Sequence, residues 1–322
     1  QEEIRTHTWP TKPVCETDKT WTAIPEVHDD PGSLLEQGKL RDVKSWGLDR
    51  IDQDEGTDGS YTPPANDGVG VHVYVADTGV RTTHEDFGGR AVPTLEVLSS
   101  TRRVCSSYDT TCAVDRDGHG THCAATVAGS AFGVAKEATI HAVKILGDDG
   151  SGSFSWFMEA IDWVLTAGER PAVISASLGG RGTFSSVRTT IDNAVSGGVT
   201  VVVAAGNEND NACEYSPAYV PSAVTVGSIQ QGDRRSSFSN YGSCVDIFAP
   251  GSHINSAGVT SDRSEDTMSG TSMACPHVAG GVALLLSEDP SKTPEQVIAI
   301  MRAHATMGKV TDAKAGSPNL LL

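Results

Sequence analysis

The chain has 322 residues, of which 38% are hydrophobic, and its formal net charge at pH 7 is −17. This length is enough for one large α/β domain or two smaller ones. The acidic balance, without a basic stripe, argues against nucleic acid as a partner. The longest apolar runs, Val199 to Gly206 and Val278 to Leu286, are about half as long as a membrane-spanning helix requires, so we expect a soluble chain with no membrane partner.

Seven cysteines indicate an oxidising compartment, and their odd number leaves at least one without a partner in the monomer. The first residue is Gln rather than Met, and no charged segment followed by an apolar one marks a signal peptide. These features predict a processed, secreted product. The acidity is explained either by solubility or by a preference for cationic substrates or divalent cations.

Two regions differ in pattern. In residues 1–45 the prolines Pro10, Pro13, Pro25 and Pro31 interrupt any period, so this region is interpreted as an N-terminal extension. From residue 46 to residue 322, short β-branched runs alternate with helix-like stretches. This alternation predicts a single α/β domain.

The predicted strands are apolar almost throughout, which is typical of strands buried on both faces. In chain order with the two crossover helices, the predicted elements are strands at 71–77 and 139–146, a helix at 154–168, a strand at 172–178, a helix at 184–198, and strands at 199–205 and 223–229. We therefore expect a three-layer, doubly wound, mostly parallel sheet. Three polar residues lie at the carboxyl ends of predicted strands, which is the edge where such sheets carry their active sites: Asp77, Ser177 and Asn207.

Four residues have the chemistry that amide hydrolysis by serine requires. Ser272 lies between a glycine turn and a helix, where backbone N–H groups can stabilise an anion. His119 lies between glycines that permit close backbone approach, and Asp77 lies at a strand end. In this interpretation His119 activates Ser272, Asp77 orients His119, and Asn207 stabilises the oxyanion.

The motifs D-T-G, H-G-T-H, A-A-G-N and G-T-S-M-A-x-P-H-V-A-G occur in this order, and from Trp46 onward the chain resembles the subtilase family. Segments such as WGLDRIDQ and SFSNYGSCVDIFAPG resemble its proteinase K and aqualysin-like branch. The resemblance implies a secreted, monomeric serine endopeptidase that cleaves proteins and peptides through an acyl-enzyme. It also implies an inhibitory propeptide. The segment from Gln1 to Thr8 resembles the junction at which the propeptide of this family ends.

The resemblance also implies a substrate cleft. The substrate would lie as an extra strand between two edges of the protein, and the floor of the first pocket would be small and apolar. The residues of these edges and of the floor are Gly150, Ser151, Gly152, Ser177, Leu178, Gly179, Gly180, Ala204, Ala205 and Gly206. We expect broad cleavage after large apolar or aromatic residues.

Structural calcium is a further implication of the resemblance, since hard oxygen ligands suit Ca²⁺. One site would use the carbonyls of Pro221 and Ala223 with the carboxylate of Asp246. A second, N-terminal site would use Asp49, Asp52, Gln53 and Asp58, with one residue fewer between Gln53 and Asp58 than in the aqualysin-like pattern. The alternative for this second set is an acidic, solvated loop.

The cysteines divide by their positions. Cys213 and Cys244 match an aqualysin-type disulfide, and Cys105 with Cys112 would close a local loop in a segment that is longer than usual for the family. Cys123 matches an unpaired cysteine near the catalytic histidine, so inhibition by mercurials is expected. Cys275 is either free or bonded to Cys123, and Cys15 has no counterpart.

Two other functions remain open. The first is an inactive subtilase fold that binds a partner. The second is a narrow-specificity processing protease, in which the extension or the segment from Cys105 to Cys112 restricts access. A zinc site made of His119 and His122 is not favoured, because their spacing is one residue shorter than that of a helical zinc pair.

Overall fold

The computed structural model describes residues 16–27, 43–99 and 101–322. The predicted propeptide junction and Cys15 lie outside these residues. The α-helices of the described part are α1 (Trp46–Ile51), α2 (His119–Ala128), α3 (Phe154–Ala167), α4 (Ser185–Ser196), α5 (Thr271–Glu288) and α6 (Pro294–His304). Two short 3₁₀ turns occupy Glu85–Phe87 and Ala212–Glu214.

The strands of the described part are β1 (Thr20–Ala23), β2 (His72–Asp77), β3 (Ala91–Val97), β4 (Arg102–Val104), β5 (Thr139–Lys144), β6 (Ser151–Ser153), β7 (Ala172–Ala176), β8 (Leu178–Arg181), β9 (Val199–Ala204), β10 (Tyr215–Ser216), β11 (Val224–Gln230), β12 (Arg234–Arg235), β13 (Ile247–Pro250), β14 (Ile254–Ala257), β15 (Glu265–Met268), β16 (Thr306–Met307) and β17 (Leu320–Leu321). All five predicted strands and both predicted crossover helices form, with ends within two residues of the expected positions.

The main sheet has the strand order β16-β17-β13-β11-β9-β7-β2-β5-β3-β4, with β12 paired to β11. Neighbours from β17 to β3 run parallel, and the outermost pairs are antiparallel. The side chains of α2 and α5 share one buried apolar cluster, and those of α3 and α4 share the other. Helices therefore cover both faces of the sheet, which confirms the three-layer, doubly wound architecture.

The strand β1 lies in the region where the sequence predicted no regular element. It belongs to a separate sheet with the order β10-β8-β1-β6. Only Trp21 of its four residues is fully buried. The strand therefore depends on pairing with edges that are distant in sequence, and a local pattern could not indicate it.

The structure forms both expected disulfides, Cys105–Cys112 and Cys213–Cys244. Cys123 and Cys275 are buried free thiols, so the bond between them that the sequence left open does not form. In the part of the chain that the structure describes, none of the helices has the length and apolar character needed to cross a bilayer.

Candidate active site

A buried carboxylate and imidazole pair at the carboxyl edge of the sheet. β2 ends at Asp77 and α2 begins at His119, whose Nδ1 lies 2.8 Å from Asp77 Oδ1. Thr78 donates its backbone N–H to the same oxygen at 2.7 Å. The close approach requires glycine, as expected, because a Cβ on Gly120 would lie 2.1 Å from the carbonyl oxygen of Gly79. The carboxylate accepts the Nδ1 hydrogen, which leaves Nε2 free to take a proton.

Two opposing effects act on His119. Burial is the largest single effect and lowers the pKa of the imidazole, but the charge and hydrogen bond of Asp77 together with the contact of Cys123 outweigh it, so its pKa lies well above the ordinary value of 6.5. His119 Nε2 is buried and has no hydrogen-bond partner among the described residues. This nitrogen is therefore available to a reacting group.

Asp115 holds the two parts of this pair together, and sequence reasoning missed it. Its buried carboxylate accepts hydrogen bonds from the hydroxyl of Thr78 (2.9 Å), the backbone N–H of Gly118 (2.9 Å), and both the N–H and the hydroxyl of Thr121 (2.8 and 2.6 Å). It thus ties the turn after β2 to the first turn of α2. The available signal was an aspartate four residues before His119 in a glycine-rich segment, which is typical of a residue that satisfies backbone donors.

Ser272 is the second residue of α5 and is 1% exposed. The Ser177 hydroxyl donates to its carbonyl oxygen at 2.9 Å, and the Cys123 thiol donates to the same oxygen at 3.4 Å. Cys123 Sγ also lies 4.0 Å from His119 Nδ1. Burial raises the pKa of Cys123, so this group is a thiol that packs between the histidine and the serine backbone.

The side chain of Asn207 is held in one orientation. Its Oδ1 accepts the backbone N–H and the hydroxyl of Thr271, each at 2.9 Å. The amide nitrogen consequently faces the cleft and donates to the carbonyl oxygen of Pro25 at 2.8 Å. Thr271 was not singled out from the sequence, although it directly precedes Ser272 in the G-T-S motif.

The chain's own segment from Thr20 to Val27 lies across these residues. β1 pairs antiparallel with β6, so that Trp21 is opposite Gly152, and with β8, so that Thr22 is opposite Gly179. These are the two edges that the sequence assigned to the substrate. The N–H of Ala23 donates to Gly150 O at 2.7 Å.

Beyond β1 the segment continues past the serine. Ile24 donates its N–H to Ser177 O at 3.2 Å, and Val27 donates its N–H to Ser269 O at 2.9 Å. The Ser272 hydroxyl donates to the carbonyl oxygen of Ile24 at 3.3 Å, whereas Asn207 binds that of Pro25. The amide of Asn207 and the hydroxyl of Ser272 therefore contact consecutive carbonyl groups rather than the same one.

Side chains of the segment fill apolar pockets. Trp21 is 2% exposed and packs edge-on against Phe154, with ring centroids 4.2 Å apart, and against Phe157 at 5.3 Å. A Cβ on Gly180 would lie 3.2 Å from the Trp21 ring. Ile24 is buried in the same apolar cluster as the predicted pocket-floor residues Ala204 and Ala205.

Two acidic residues anchor the segment upstream of β1. Glu16 accepts hydrogen bonds from the backbone N–H groups of Ser185 (2.9 Å) and Ser186 (3.0 Å), at the start of α4. Hydrogen bonds from Ser186 and Ser185 lower the pKa of Glu16 to about 2. Asp18 accepts hydrogen bonds from the N–H (3.2 Å) and the hydroxyl (2.8 Å) of Ser155, at the start of α3. Each carboxylate thus occupies the positive end of a helix.

The expected N-terminal calcium ligands are neighbours in α1 and the loop after it. Both Asp49 oxygens accept backbone N–H groups, and in the described residues Asp49, Asp52 and Asp58 do not bring three ligand atoms within 4.8 Å of one another. Asp49 Oδ1 accepts the backbone N–H of Asp58 at 2.7 Å, and Asp58 accepts a hydrogen bond from the Gln53 side chain. Burial raises the pKa of Asp52, backbone hydrogen bonds oppose this, and the charges of Asp58 and Asp49 add to the rise. The clustered negative charge is a feature that a bound cation would stabilise.

The other expected calcium site is less suited to a cation. Asp246 Oδ2 accepts the backbone N–H of Thr225 at 2.8 Å, and Oδ1 accepts a hydrogen bond from Arg302 at 2.5 Å. A cation on this carboxylate would have to displace the guanidinium. Asp246 is therefore satisfied by protein groups, and the set of Asp246 with Pro221 and Ala223 does not fit calcium as the structure stands.

A carboxylate, an imidazole and a serine at a helix N-terminus, at the carboxyl edge of a doubly wound sheet, define a serine-hydrolase class of site. The subtilase family model matches residues 68–320, and the chain belongs to the subtilase family.

Its relatives include the extracellular serine proteinase of Thermus sp. (strain Rt41A), 48% identical over 279 residues that cover 86% of this chain and 65% of the relative. The alkaline serine exoprotease A of Vibrio alginolyticus is also 48% identical, over 86% of this chain and 49% of the relative. The crystal structure of a cold adapted subtilisin-like serine proteinase has a TM-score of 0.80 and 46% identity, and the match covers 86% of this chain and 97% of that one. The chain thus spans between about half and about two thirds of the length of these two curated relatives.

Proposed function

We propose that this chain is a secreted serine endopeptidase. The observation that carries the proposal is the segment from Thr20 to Val27. Thr20–Ala23 pair as a strand with both edges of the cleft, and Ile24 and Val27 extend the segment past Ser272 through backbone hydrogen bonds. A cleft that holds a peptide main chain on both sides of the nucleophile suits cleavage within a chain. The two disulfides and the extracellular name of the Thermus relative support secretion.

The proposed reaction has two stages. Ser272 Oγ attacks the substrate carbonyl carbon while His119 Nε2 takes the hydroxyl proton, and Asn207 Nδ2 with the N–H of Ser272 stabilises the oxyanion. The C–N bond then breaks, and His119 gives the proton to the leaving amine. Water cleaves the remaining ester by the same route in reverse. Asp77 holds the imidazole tautomer and stabilises its cationic form throughout.

The pockets indicate the substrate preference. Ile24 is buried in the apolar cluster that includes Ala204 and Ala205, and small residues at the floor of its pocket would leave room for a larger side chain, so we propose cleavage after large apolar or aromatic residues. The pocket that holds Trp21 adds a preference for an aromatic residue three positions before the cleaved residue. Main-chain pairing on both edges tolerates many sequences at the positions between them.

The segment itself is proposed to inhibit the enzyme. It occupies the cleft, but no single carbonyl group contacts both Ser272 Oγ and Asn207 Nδ2, as attack would require. The bond that follows Ile24 also leads to a proline nitrogen. The sequence suggested a separate propeptide as the inhibitor; we propose instead that residues 16–27 of the present chain have this role.

Calcium is proposed for the N-terminal set only. Asp49, Asp52, Gln53 and Asp58 offer the hard oxygen ligands that Ca²⁺ prefers, and their negative charges are close enough to raise the pKa of Asp52. Calcium bound there would supply structural stability rather than chemistry. It would join the end of α1 to the loop that follows it.

A fluorophosphonate probe, which reacts with activated serine hydroxyls, tests the proposed activity. The Trp21→Ala variant, whose cleft is expected to open, should be labelled rapidly, and adding Ser272→Ala to it should abolish labelling. The same substitution at Ser287, near the other end of α5, is the matched control and should leave labelling unchanged. Absence of labelling in a variant whose cleft has been opened, as developed in the Discussion, would instead favour an inactive binding protein.

A further inference from the structure

We propose that His72, His141 and Glu169 form a binding site for a divalent transition metal, with Zn²⁺ the best match. One ring nitrogen of each histidine and one carboxylate oxygen of Glu169 all lie within 4.8 Å of one another. The set lies at the amino end of the sheet: His72 begins β2, His141 is in β5, and Glu169 shortly precedes β7. The proposed catalytic Asp77 is at the opposite end of β2, so this site is separate from the cleft.

The hydrogen-bond network prepares His141 to bind a metal. Thr94 Oγ1 lies 2.9 Å from His141 Nδ1 and 3.2 Å from Val92 O, and its single hydrogen can go to either acceptor. When the hydroxyl donates to Val92 O, His141 Nδ1 carries the ring hydrogen, and the lone pair of its Nε2 faces His72. Outer groups that fix a histidine tautomer in this way are a regular feature of metal sites. Tyr74 stacks on the imidazole, with centroids 4.4 Å apart, and restricts its rotation.

The spacing of the ligands suits a small cation. His72 Nδ1 and His141 Nε2 are 2.9 Å apart, and His72 Nε2 is 3.7 Å from Glu169 Oε2. These two distances start from different ring nitrogens of His72, and one ion binds only one of them. Bound through His72 Nδ1 and His141 Nε2, a tetrahedral Zn²⁺ with bonds of about 2.0–2.1 Å would replace the hydrogen bond between the rings and widen their separation to about 3.3 Å. The Glu169 side chain is 70% exposed and can rotate toward it.

The ligand types also suit Zn²⁺. Two imidazoles and one carboxylate leave a fourth position for water, an arrangement that Zn²⁺ adopts readily. Such an ion would cross-link β2, β5 and the loop before β7.

Calorimetric titration of the full chain with Zn²⁺ tests the site. We expect Glu169→Gln and His72→Asn each to weaken Zn²⁺ binding at least about tenfold. His304→Asn removes an exposed histidine at the end of α6 and should not change the affinity. Zn²⁺ should raise the melting temperature of the wild type and not that of His72→Asn. Glu169 is exposed, so Glu169→Gln should fold and still tests the proposal if His72→Asn does not fold.

The catalytic cluster is the competing site, since Asp77, His119 and Cys123 also bring three ligand atoms together. Substitution of Co²⁺ separates the two, because only a site that contains Cys123 gives a sulfur-to-cobalt charge-transfer band. A cobalt spectrum without that band, and unchanged in Cys123→Ala, supports the proposal. Equal Zn²⁺ affinity in the wild type, Glu169→Gln and His72→Asn, or a sulfur band that Cys123→Ala removes, would overturn it.

Discussion

Replacing Trp21 by alanine should open the cleft. The indole is 2% exposed and packs on Phe154 and Phe157, whereas β1 has no other fully buried side chain. Loss of a buried aromatic side chain costs about 3–5 kcal/mol in protein interiors. We take the lower end, about 3 kcal/mol, because the vacated pocket opens to water. This free energy corresponds to an increase of roughly 150-fold in the ratio of open to closed cleft.

The assay is the second-order rate of fluorophosphonate labelling of Ser272, together with hydrolysis of a peptide anilide that carries an apolar residue before the scissile bond. Both rates should rise by about two orders of magnitude in Trp21→Ala if the wild type is mostly closed. Trp163→Ala is the matched control. It removes an indole from α3 that contacts Tyr74 rather than β1, and it should leave both rates near those of the wild type.

Two results would refute this reasoning. The first is that Trp21→Ala and the wild type are labelled at rates within twofold of each other and both hydrolyse the anilide freely. In that case the segment would not block the cleft. The second is an equal rise in Trp163→Ala, which would indicate general loosening of the fold. In the double variant Trp21→Ala/Ser272→Ala, hydrolysis should disappear, which attributes the activity to this serine.

Three further predictions concern the site and its support, each measured in Trp21→Ala. Because the charge of Asp77 raises the pKa of His119 well above 6.5, kcat/KM should be low in acid and rise with pH through a midpoint above 6.5; a midpoint below 6.5 would contradict this. Mercurials should inhibit by reacting with Cys123 beside the imidazole, so Cys123→Ala should be resistant; equal sensitivity would exclude that thiol. Chelation of calcium should lower the melting temperature, and Asp52→Asn should reduce the effect; an unchanged melting temperature would remove the calcium proposal.

Much of the fold was predictable because its signal is local. The strands β2, β7 and β9 are continuous apolar runs bounded by polar turn residues, and buried parallel strands require such runs. The crossover helices α3 and α4 carry their own 3.6-residue period. Asp77 and Ser272 were identifiable because the glycines and small residues around them permit the tight turns that bring them to the sheet edge.

Positioning residues were harder to identify. Asp115 and Thr271 act through hydrogen bonds to backbone groups and to Asn207, and an aspartate or threonine with that role looks like any turn residue in the sequence. The strand β1 and its pocket could not be predicted either. Its four residues, TWTA, alternate in polarity but are too few for a clear strand signal, and its partners β6 and β8 are more than a hundred residues away.

The sequence by itself determined the layered architecture and the identity of the residues suited to the chemistry, because these depend on local periodicity and on the side chains that a reaction requires. Only the tertiary structure decided that residues 20–27 lie in the cleft. It also decided that the Ser272 hydroxyl contacts the carbonyl of Ile24, whereas the Asn207 amide contacts that of Pro25. It also decided that His72, His141 and Glu169 meet at the far edge of the sheet. These arrangements depend on strand pairing and register between distant segments, which no local pattern encodes.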